Sequence, residues 1–466
     1  MPEAKQEAAL WTADEIAQAV GGKVAGDFAV TGVSIDTRSV EPGDLFVPLV
    51  GVRDGHDFVA QAMANGAAGV LAAKAVDAPA VMVEDTFKAL EALGIAARER
   101  APRCKRGAVT GSVGKTSVTR AVEAGLRLAG KAHASVKSYN NHIGVPLTLA
   151  RMPRDTERAV FEVGMNHADE ITPLSQFIRP HAVAITTVGP VHLENFENEE
   201  GVARAKAEIF AGLEPGGVAV LNADNPWFEL LRAEAAKAGA LVWSFGEAAG
   251  ATARLTGLAV EGEGAVVSVE LRGELLSFPI RQTGVHWGPN SLCVLLMLEA
   301  LDVPRETAQA ALAAFAPIEG RGAEKTVRID GGAFTLVDES YNANPVSMQA
   351  ALKTLGARKV AGRRVAVLTD MLELGEGSAA FHAELAGPLE RANVDVVFLA
   401  GVHMKSLWEQ LPPTRRGGYA EVTEKLTARL AGAIRPGDVV MVKGSNGSRA
   451  GVLAGALAAL DLGEQG

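Results

Sequence analysis

The sequence predicts an α/β protein of three domains, and three observations support this prediction. A chain of 466 residues is too long for one compact core. From about residue 105, short apolar runs alternate with helical patterns, which is typical of parallel α/β layers. A stretch rich in proline and glycine, residues 317–322, separates two such regions. We therefore expect domains over residues 1–104, 105–322 and 323–466, the last of them Rossmann-like.

The first domain is predicted to be a small α/β unit. Thr12 and Glu15 have the spacing of a capping box, which indicates that a helix begins there. We predict helices over residues 12–20 and 59–65, and strands over residues 30–35, 44–50 and 69–73. Asp36, Thr37 and Arg38 follow the first of these strands, so a hydroxyl and a guanidinium stand together. From the residues alone, Arg38 is a solvated or salt-bridged arginine.

The central domain contains a glycine-rich turn between an apolar run and a helical pattern. Residues 109–116 read Val-Thr-Gly-Ser-Val-Gly-Lys-Thr. In such a turn the backbone N–H groups and the helix N-terminus bind phosphate, and the lysine and hydroxyl take the terminal phosphates and Mg²⁺. The predicted nucleotide-binding residues are Gly111, Ser112, Val113, Gly114, Lys115 and Thr116. The general P-loop pattern has glycine where this chain has Val109. A flexible loop is the alternative, and the helix that follows favours nucleotide binding.

Further elements are spaced as in layered α/β proteins. In the central domain, strands are predicted over residues 159–163, 183–188, 218–221 and 241–245, an antiparallel insertion over residues 252–281, and helices over residues 290–301 and 306–315. In the last domain, strands are predicted over residues 334–337, 365–369, 394–399 and 439–442. No G-x-G-x-x-G follows the first of these strands, so no dinucleotide site is expected.

Two potential metal ligands lie at the ends of neighbouring predicted strands. Glu162 ends one strand and His192 follows the next. Because sites in parallel sheets lie at the carboxyl ends of strands, the pair beside a phosphate loop indicates a Mg²⁺ site. Taken alone, each has a structural explanation, as a helix cap or a hydrogen-bonding histidine. From the sequence alone, Lys206 is a surface lysine on a helix, paired with a neighbouring glutamate.

Two polar segments follow strands of the last domain. Residues 338–345 read Asp-Glu-Ser-Tyr-Asn-Ala-Asn-Pro, in which a carboxylate can bind ribose and a tyrosine or asparagine can flank a base. Since Asn-Pro is also a turn and helix-start signal, both interpretations stay open. Residues 443–449, Lys-Gly-Ser-Asn-Gly-Ser-Arg, are either a cradle for an anion or an ordinary polar loop. Asp370 and Glu373 also follow a predicted strand and could belong to an ordinary polar loop.

Composition narrows the class of partner. The chain has 45 basic and 55 acidic residues, a net charge of −10, which argues against a nucleic-acid or anionic-membrane surface. Its two cysteines, Cys104 and Cys293, fit a reducing compartment. The N-terminus lacks the apolar core of a signal peptide, and no run approaches the ~20 apolar residues of a membrane span. We expect a cytoplasmic protein that binds neither nucleic acid nor membrane.

In this order, the motifs resemble those of the Mur ligases of peptidoglycan synthesis, whose glycine-rich loop has the form Thr-Gly-Ser-x-Gly-Lys-Thr. The resemblance covers the whole chain and rests on Asp36 to Arg38, Asn140 and Asn141, Glu162, His192, Lys206, His286 with Asn290, Arg321, Asp338 to Pro345, and Lys443 to Ser445. Residues 162–166, 338–345 and 369–375 are similar to the versions found in members that add D-alanyl-D-alanine to a UDP-N-acetylmuramoyl tripeptide.

The resemblance implies an ATP-dependent amide ligase that forms ADP, and it implies a role for each matching position. Lys115 would hold the β- and γ-phosphates and Thr116 a first Mg²⁺. Glu162 and His192 would bind a second Mg²⁺, supported by Lys206 in carbamylated form. The remaining nucleotide contacts implied are Asn290, Asp338 and Asn344 to adenosine, and Arg321 to the γ-phosphate.

The resemblance also implies where the other substrates bind. The UDP-N-acetylmuramoyl tripeptide is expected with the first domain and D-alanyl-D-alanine with the last. The implied substrate-binding residues are Asp36, Thr37, Arg38, Asn140, Asn141, Lys443 and Ser445. The chain departs from the family at Trp287, where asparagine is usual after His286. We expect a monomer.

Two other classes share part of this pattern. A folylpolyglutamate-type amide ligase has the phosphate loop and the domains, but it would not need the Asp-Thr-Arg segment of the first domain. A nucleotide-gated binding or switch protein could use the same loop without ligation. Phosphate release that depends on both peptide substrates distinguishes the ligase from the switch.

Overall fold

Three main sheets carry the fold. The computed structural model describes residues 9–136, 138–191, 193–261 and 264–463, with the side chain of residue 193 also outside the described part. The first sheet has five strands in the order β2-β7-β6-β5-β4, parallel except for β2, and β1 pairs with β3 beside it. The elements are β1 Trp11–Thr12, α1 Ala13–Val20, β2 Lys23–Ala25, β3 Ala29–Val30, β4 Gly32–Ser34, β5 Asp44–Phe46, α2 Val59–Ala64, β6 Gly69–Ala72, β7 Ala80–Met82 and α3 Thr86–Glu99.

The predicted capping box at the start of α1 is confirmed. The Glu15 N–H donates to the Thr12 hydroxyl over 3.3 Å, and the Thr12 N–H donates to the Glu15 carboxylate over 3.0 Å. Gly21 ends the helix in the left-handed region. The single strand predicted over residues 30–35 is wrong, because the chain leaves the ladder at Thr31, whose N–H donates to Gly43 O. Two short strands, β3 and β4, result.

The central sheet has nine strands in the order β16-β15-β14-β13-β12-β11-β8-β10-β9. The predicted antiparallel insertion is confirmed as β14–β16, which extend the parallel strands at one edge. The elements are β8 Lys105–Thr110, α4 Lys115–Ala129, β9 Ala132–Ala134, α5 Gly144–Ala150, β10 Arg158–Glu162, α6 Ile171–Ile178, β11 Ala182–Ile185, α7 Glu199–Ala207, β12 Val218–Asn222, α8 Phe228–Lys237, β13 Leu241–Gly246, β14 Ala253–Glu261, β15 Gly264–Leu271, β16 Glu274–Ile280, α9 Trp287–Ala300 and α10 Arg305–Ala314.

Apolar cores cover both faces of the central sheet. In β8, Val109 packs into one core while Ala108 packs into the other, which explains the unbroken apolar run of a parallel strand. The apolar helix α9 is buried against α4 and α10. Within the described residues, no helix has the length and apolar character needed to cross a membrane.

The third sheet has six strands in the order β17-β18-β22-β19-β20-β21, parallel except for β17. Its elements are β17 Ala323–Ile329, β18 Gly332–Glu339, α11 Pro345–Ala357, β19 Arg364–Thr369, α12 Ser378–Ala383, α13 Ala386–Arg391, β20 Val396–Ala400, α14 Met404–Gln410, β21 Arg416–Ala420, α15 Thr427–Ala431, β22 Val439–Lys443 and α16 Ala450–Ala458. The sequence predicted neither edge strand, because β17 is largely exposed and charged and β21 contains two glycines. The predicted three-domain α/β class is confirmed.

Candidate active site

The glycine-rich turn connects β8 to α4, and its glycines are required by close contacts. Gly111 has a φ of 146°, and a Cβ there would lie 1.9 Å from the Thr186 hydroxyl oxygen. Gly114, with a φ of 89°, precedes the first residue of α4. Val109 lies inside β8, fully buried and paired with Glu162 of β10. The turn therefore starts beyond Val109, and the glycine of the general P-loop pattern has no role at this position.

The neighbouring strand end fixes the shape of the turn. The Ser112 hydroxyl donates to Gly189 O over 3.1 Å and accepts the Gly189 N–H over 3.0 Å. The Thr186 hydroxyl donates to Val113 O over 2.5 Å. The Ser112 N–H itself donates to Thr187 O over 2.8 Å. This amide is occupied by the protein, so the donors left for phosphate are those at the start of α4.

Lys115 and Thr116 stand in the first turn of α4 and line a cavity of about 490 Å³. The Lys115 ammonium donates to Gly111 O over 2.7 Å. Burial lowers the pKa of Lys115, the Glu162 carboxylate raises it and the Arg321 guanidinium lowers it. These three charged groups are therefore electrostatic neighbours in one site, although they come from distant parts of the sequence.

Glu162 is buried at the end of β10, with 4% of its surface exposed. One carboxylate oxygen accepts the Asn140 side-chain N–H over 2.8 Å. Asn140, predicted to bind substrate, thus also orients Glu162. His192 lies outside the described residues. In the described part of the chain, no group of three or more His, Cys, Asp or Glu side chains forms a complete metal cage.

Lys206 is not the surface lysine that its sequence context predicts. Its side chain is 2% exposed within α7, because the helix turns this face into the core beside the central sheet. Burial and the positive charge of Lys115 hold the pKa of Lys206 well below its ordinary value. The amine is therefore held in a site that favours its neutral form.

The cavity lies between the central and third sheets, and both contribute to its walls. From the central part it is lined by residues 112–117 and by Ser138, Asn140, Glu162, Thr186, Thr187, Asn222, His286, Pro289 and Asn290. From the hinge and the third sheet it is lined by Gly320, Arg321, Glu339, Tyr341 to Asn344, Val346, Ser347, Ala350, Ala351 and Lys443. The polar groups converge on the space in front of the glycine-rich turn.

The segment after β18 closes the cavity from the side of the third sheet. Arg321 lies over the ring of Tyr341, with its Cζ 4.0 Å from the ring centroid. Asn344 caps α11, accepting the Ser347 N–H over 2.9 Å, and its side-chain N–H reaches Ser112 O at 3.4 Å. Asn344 therefore links the third sheet to the glycine-rich turn.

A second cavity of about 310 Å³ lies on the other side of this segment. Ser445 lines it, but its hydroxyl is occupied, donating to Ala343 O over 3.1 Å and accepting the Leu372 N–H over 3.0 Å. Lys443 is 3% exposed and donates to Asn342 O over 3.0 Å. Both residues thus hold the walls of the cavities in place. The second cavity reaches Ser112 and Lys115, so it opens onto the same phosphate loop.

Several predicted site residues line neither cavity. Arg38 is paired with Asp36 over 2.6 Å and its side chain is 87% exposed, so the prediction of a salt-bridged, solvated arginine is confirmed. Thr37 accepts the Asn65 side-chain N–H at its carbonyl. The Asn141 side chain accepts the Gly144 N–H over 2.9 Å at the start of α5.

Two further positions near the cavity differ from their expected placement. Asp338 lies within β18, not after it, and its carboxylate accepts the Ser340 N–H over 3.0 Å. Asp338 is not among the residues that line either cavity. Trp287 is 3% exposed and packs against Phe315, with ring centroids 5.7 Å apart. His286 lines the cavity, and burial lowers its pKa. The substitution at Trp287 therefore alters the apolar core and not the cavity wall.

The sequence did not indicate Thr186, Thr187 or Asn222 as site residues. All three line the cavity, and the Asn222 side chain donates to Thr186 O over 3.2 Å. Each is a polar residue at or just beyond the end of a parallel strand, β11 or β12. The rule that sites lie at the carboxyl ends of such strands would have found them.

Comparison with known proteins agrees with this geometry. Residues 29–115 match "Mur ligase family, catalytic domain", residues 109–298 match "Mur ligase middle domain", and residues 325–446 match "Mur ligase, glutamate ligase domain". A UDP-N-acetylmuramoyl-tripeptide–D-alanyl-D-alanine ligase from Rickettsia prowazekii is 31% identical over 443 residues, which cover 94% of this chain and 97% of that protein. The chain belongs to the Mur ligase family.

Solved structures of Mur ligases extend the comparison to the whole fold. A crystal structure of MurF from Acinetobacter baumannii has a TM-score of 0.85 at 27% identity, covering 96% of this chain and 99% of that one. A MurF ligase from Thermotoga maritima in complex with ADP has a TM-score of 0.77 at 25% identity, covering 92% and 97% of the two chains. The first of these relatives shares the fold over almost its full length.

Proposed function

We propose that this Mur ligase joins D-alanyl-D-alanine to a UDP-N-acetylmuramoyl tripeptide in peptidoglycan precursor synthesis. The protein is an ATP-dependent, ADP-forming peptide ligase. The observation that carries the proposal is the shared cavity, where the phosphate loop, Glu162 and Arg321 meet between two domains. A ligase of this kind must bring three substrates together, and a cavity with walls from two domains provides for that.

The reaction has two balanced steps. A carboxylate oxygen of the tripeptide attacks the γ-phosphorus of ATP, the bond from that phosphorus to the bridging oxygen breaks, and ADP leaves with an acyl phosphate formed. The dipeptide amine then attacks the acyl carbon and loses a proton, and inorganic phosphate leaves as the amide forms. Lys115 and Arg321 neutralise the charge that develops on the phosphoryl oxygens.

The polar groups in the cavity fit a magnesium nucleotide. Thr116 and Glu162 supply a hydroxyl and a carboxylate on its wall, and Mg²⁺ typically takes one or two such ligands together with phosphate oxygens and water. We assign Thr116 to one ion and Glu162, with His192, to a second. When bound, Mg²⁺ would neutralise phosphate charge. Asn140 holds Glu162 in the orientation that this role requires.

Lys206 is proposed to be carbamylated. A neutral amine reacts with carbon dioxide to form a carbamate, and the site of Lys206 favours the neutral amine through burial and the nearby charge of Lys115. The resulting carboxylate would face Lys115 and support the second Mg²⁺. The carbamate is an anion, and the neighbouring positive charge of Lys115 would offset the cost of burying it.

The substrates are assigned to domains bounded as predicted, at residues 1–104, 105–322 and 323–466. We place the uridine nucleotide at Asp36 to Arg38 with Asn140 and Asn141, and adenosine at Asn290, Asp338 and Asn344. D-alanyl-D-alanine is assigned to the second cavity, whose walls Lys443 and Ser445 hold. We further propose a monomer that works in the cytoplasm, where ATP is available and where Cys104 and Cys293 stay reduced.

An omission assay tests the proposal. Phosphate release from ATP is measured with the tripeptide nucleotide, with D-alanyl-D-alanine, with both and with neither. The expected result is release only with both, together with the amide product by mass spectrometry. ATP turnover that is the same with and without the two substrates would favour a switch protein. Phosphate release that depends on an added folate and glutamate would favour a folylpolyglutamate-type ligase. Comparing lysine- and diaminopimelate-containing tripeptides identifies the third residue of the substrate.

A further inference from the structure

We infer that Tyr341 is a positioning residue of the ligation site, which links the orientation of Arg321 to closure of the third domain on the central one. The inference deepens the proposed function and rests on it through the assignment of Arg321 to the γ-phosphate. Tyr341 lines both cavities and is 41% exposed. Its ring contacts Arg321, just before the third sheet, and its hydroxyl contacts Ser138 of the central domain.

The guanidinium of Arg321 lies over the ring of Tyr341. The distance from the guanidinium carbon to the ring centroid is 4.0 Å, a cation–π contact. Among the described residues, the side chain of Arg321 makes this cation–π contact but no ion pair and no hydrogen bond. Because this contact uses no N–H group, the guanidinium donors stay available for bidentate contact with phosphate. The ring thus orients Arg321 without occupying its donors.

Tyr341 and Arg321 are also joined through the backbone. The Tyr341 N–H donates to Gly320 O over 3.0 Å, and a Cβ at Gly320 would lie 3.1 Å from the Tyr341 Cβ. The next two carbonyls are held by the third sheet, Asn342 O by Lys443 and Ala343 O by Ser445. The segment that carries Arg321 is therefore tied to the third sheet through Tyr341.

The hydroxyl of Tyr341 reaches the central domain. It lies 3.3 Å from the hydroxyl oxygen of Ser138, in the segment between β9 and α5. This bond forms only when the third domain lies against the central one, in the arrangement that also brings Asn344 to Ser112. The same side chain therefore orients Arg321 with its ring and stabilises the closed arrangement with its hydroxyl.

Two substitutions separate these contributions. Tyr341→Phe removes the hydroxyl and keeps the ring, whereas Tyr341→Leu removes both. We expect Tyr341→Leu to weaken binding of a non-hydrolysable ATP analogue by about threefold to tenfold, with ADP affinity unchanged, because the lost cation–π contact orients the γ-phosphate arginine. Tyr341→Phe should keep both nucleotide affinities and lower kcat by about threefold to tenfold.

Ser138→Ala and Arg321→Ala are the matched controls. Ser138→Ala should lower kcat as Tyr341→Phe does, and the double variant should lose no more than either single one. Arg321→Ala should show the same selective loss of analogue binding, with no further loss when Tyr341→Leu is added. Melting temperatures show whether each variant is folded. If Tyr341→Leu is unstable, the double-mutant cycle of Tyr341→Phe and Ser138→Ala tests the inference.

Three results would overturn the inference. The first is that the losses of kcat from Ser138→Ala and Tyr341→Phe multiply in the double variant. The second is that Tyr341→Leu weakens binding of ADP and of the ATP analogue equally. The third is that Tyr341→Leu keeps wild-type nucleotide affinity and wild-type kcat. The nucleotide-affinity comparison requires no peptide substrate. A wild-type protein that binds nucleotide without ligating would therefore refute the proposed function, while the affinity comparison still decides the role of Tyr341.

Discussion

At the scale of single residues, we propose different roles for two lysines of the central domain. Lys115 sits at the start of α4 with Glu162 and Arg321 as electrostatic neighbours. Lys206 is buried, and the charge of Lys115 helps to lower its pKa. The site of Lys115 suits an ammonium that binds phosphate. The site of Lys206 disfavours an ammonium. The different environments, and not the residue type, assign the two roles.

Replacing Lys115 by alanine should abolish ATP-dependent phosphate release. In the proposed reaction the ammonium would neutralise charge on the transferring phosphoryl group. Among the described residues, Lys443 is the other lysine that lines the cavity, and its ammonium donates to Asn342 O. A phosphate-release assay with all substrates measures the effect, with the exposed Lys237→Ala variant as the control for a lost positive charge. Near-normal turnover in Lys115→Ala would remove this residue from the site.

Lys206→Ala should be inactive and regain part of its activity when short carboxylates such as acetate are added. The added carboxylate would occupy the space of the carbamate, which the alanine leaves open. The initial rate is measured against carboxylate concentration, with chloride at equal ionic strength as the control. Full activity of Lys206→Ala without any addition contradicts the carbamate assignment.

At the scale of elements, the strand–turn–helix unit of β8 and α4 is fixed by its neighbour β11. Thr186, just beyond β11, contacts the turn through its hydroxyl, and Gly189 bonds Ser112. The turn itself was predictable from the sequence, because glycine and lysine spacing follows from phosphate chemistry. The contacts with Thr186 were not, since they depend on the order of strands in the sheet.

Gly111→Ala should therefore disrupt nucleotide binding far more than Gly114→Ala. The added methyl at Gly111 would lie 1.9 Å from the Thr186 oxygen, whereas at Gly114 the nearest atoms are 3.5 Å away, in the Asn290 amide. Both positions also carry the strain of a positive φ, of order 1–3 kcal/mol, so the steric clash at Gly111 adds to a cost that the two variants share in part. ADP affinity by calorimetry measures the difference. Equal losses in the two variants would show that the clash is relieved at no cost.

A second prediction at this scale concerns His133 of β9. Burial lowers its pKa to about 4, and its Nε2 lies 2.7 Å from Thr148 O of α5. In the unfolded chain the His133 imidazole binds a proton near pH 6.5, whereas in the folded protein it does so only near pH 4. The free energy of unfolding is therefore highest above pH 6.5 and falls as the pH drops to about 4. At 1.36 kcal/mol per pKa unit, the loss is about 3 kcal/mol at most. Urea unfolding of wild type and His133→Gln from pH 7 to pH 4 measures it, and equal pH slopes would contradict the assignment.

At the scale of the whole molecule, the site exists because two domains meet. Alternating apolar runs were enough to predict the α/β class and the antiparallel insertion. The burial of Lys206 was not predictable, because helical spacing alone does not say which side of α7 packs on the sheet. The two edge strands β17 and β21 were missed for a related reason, since their charged or glycine-containing sequences lack the alternation of buried strands.

The proposed roles of Arg321 and Tyr341 also depend on the contact between two domains. The sequence around neither residue predicts a binding site. Both line the cavity because the third sheet lies against the glycine-rich turn. Asp36 to Arg38 remain a prediction as a substrate site, because they line neither cavity. The long nucleotide-linked substrate would have to extend from the first sheet towards Glu162 to connect the two regions.

We propose that phosphoryl transfer activates the tripeptide carboxylate before the amide forms. The test uses tripeptide nucleotide in which both oxygens of the terminal carboxylate are oxygen-18, incubated with ATP and D-alanyl-D-alanine. Phosphate isolated after one turnover is then examined by mass spectrometry or phosphorus NMR. We expect one oxygen-18 atom in each phosphate released, because the attacking carboxylate oxygen leaves with it. Phosphate without the label, formed together with the amide product, would contradict the acyl-phosphate route.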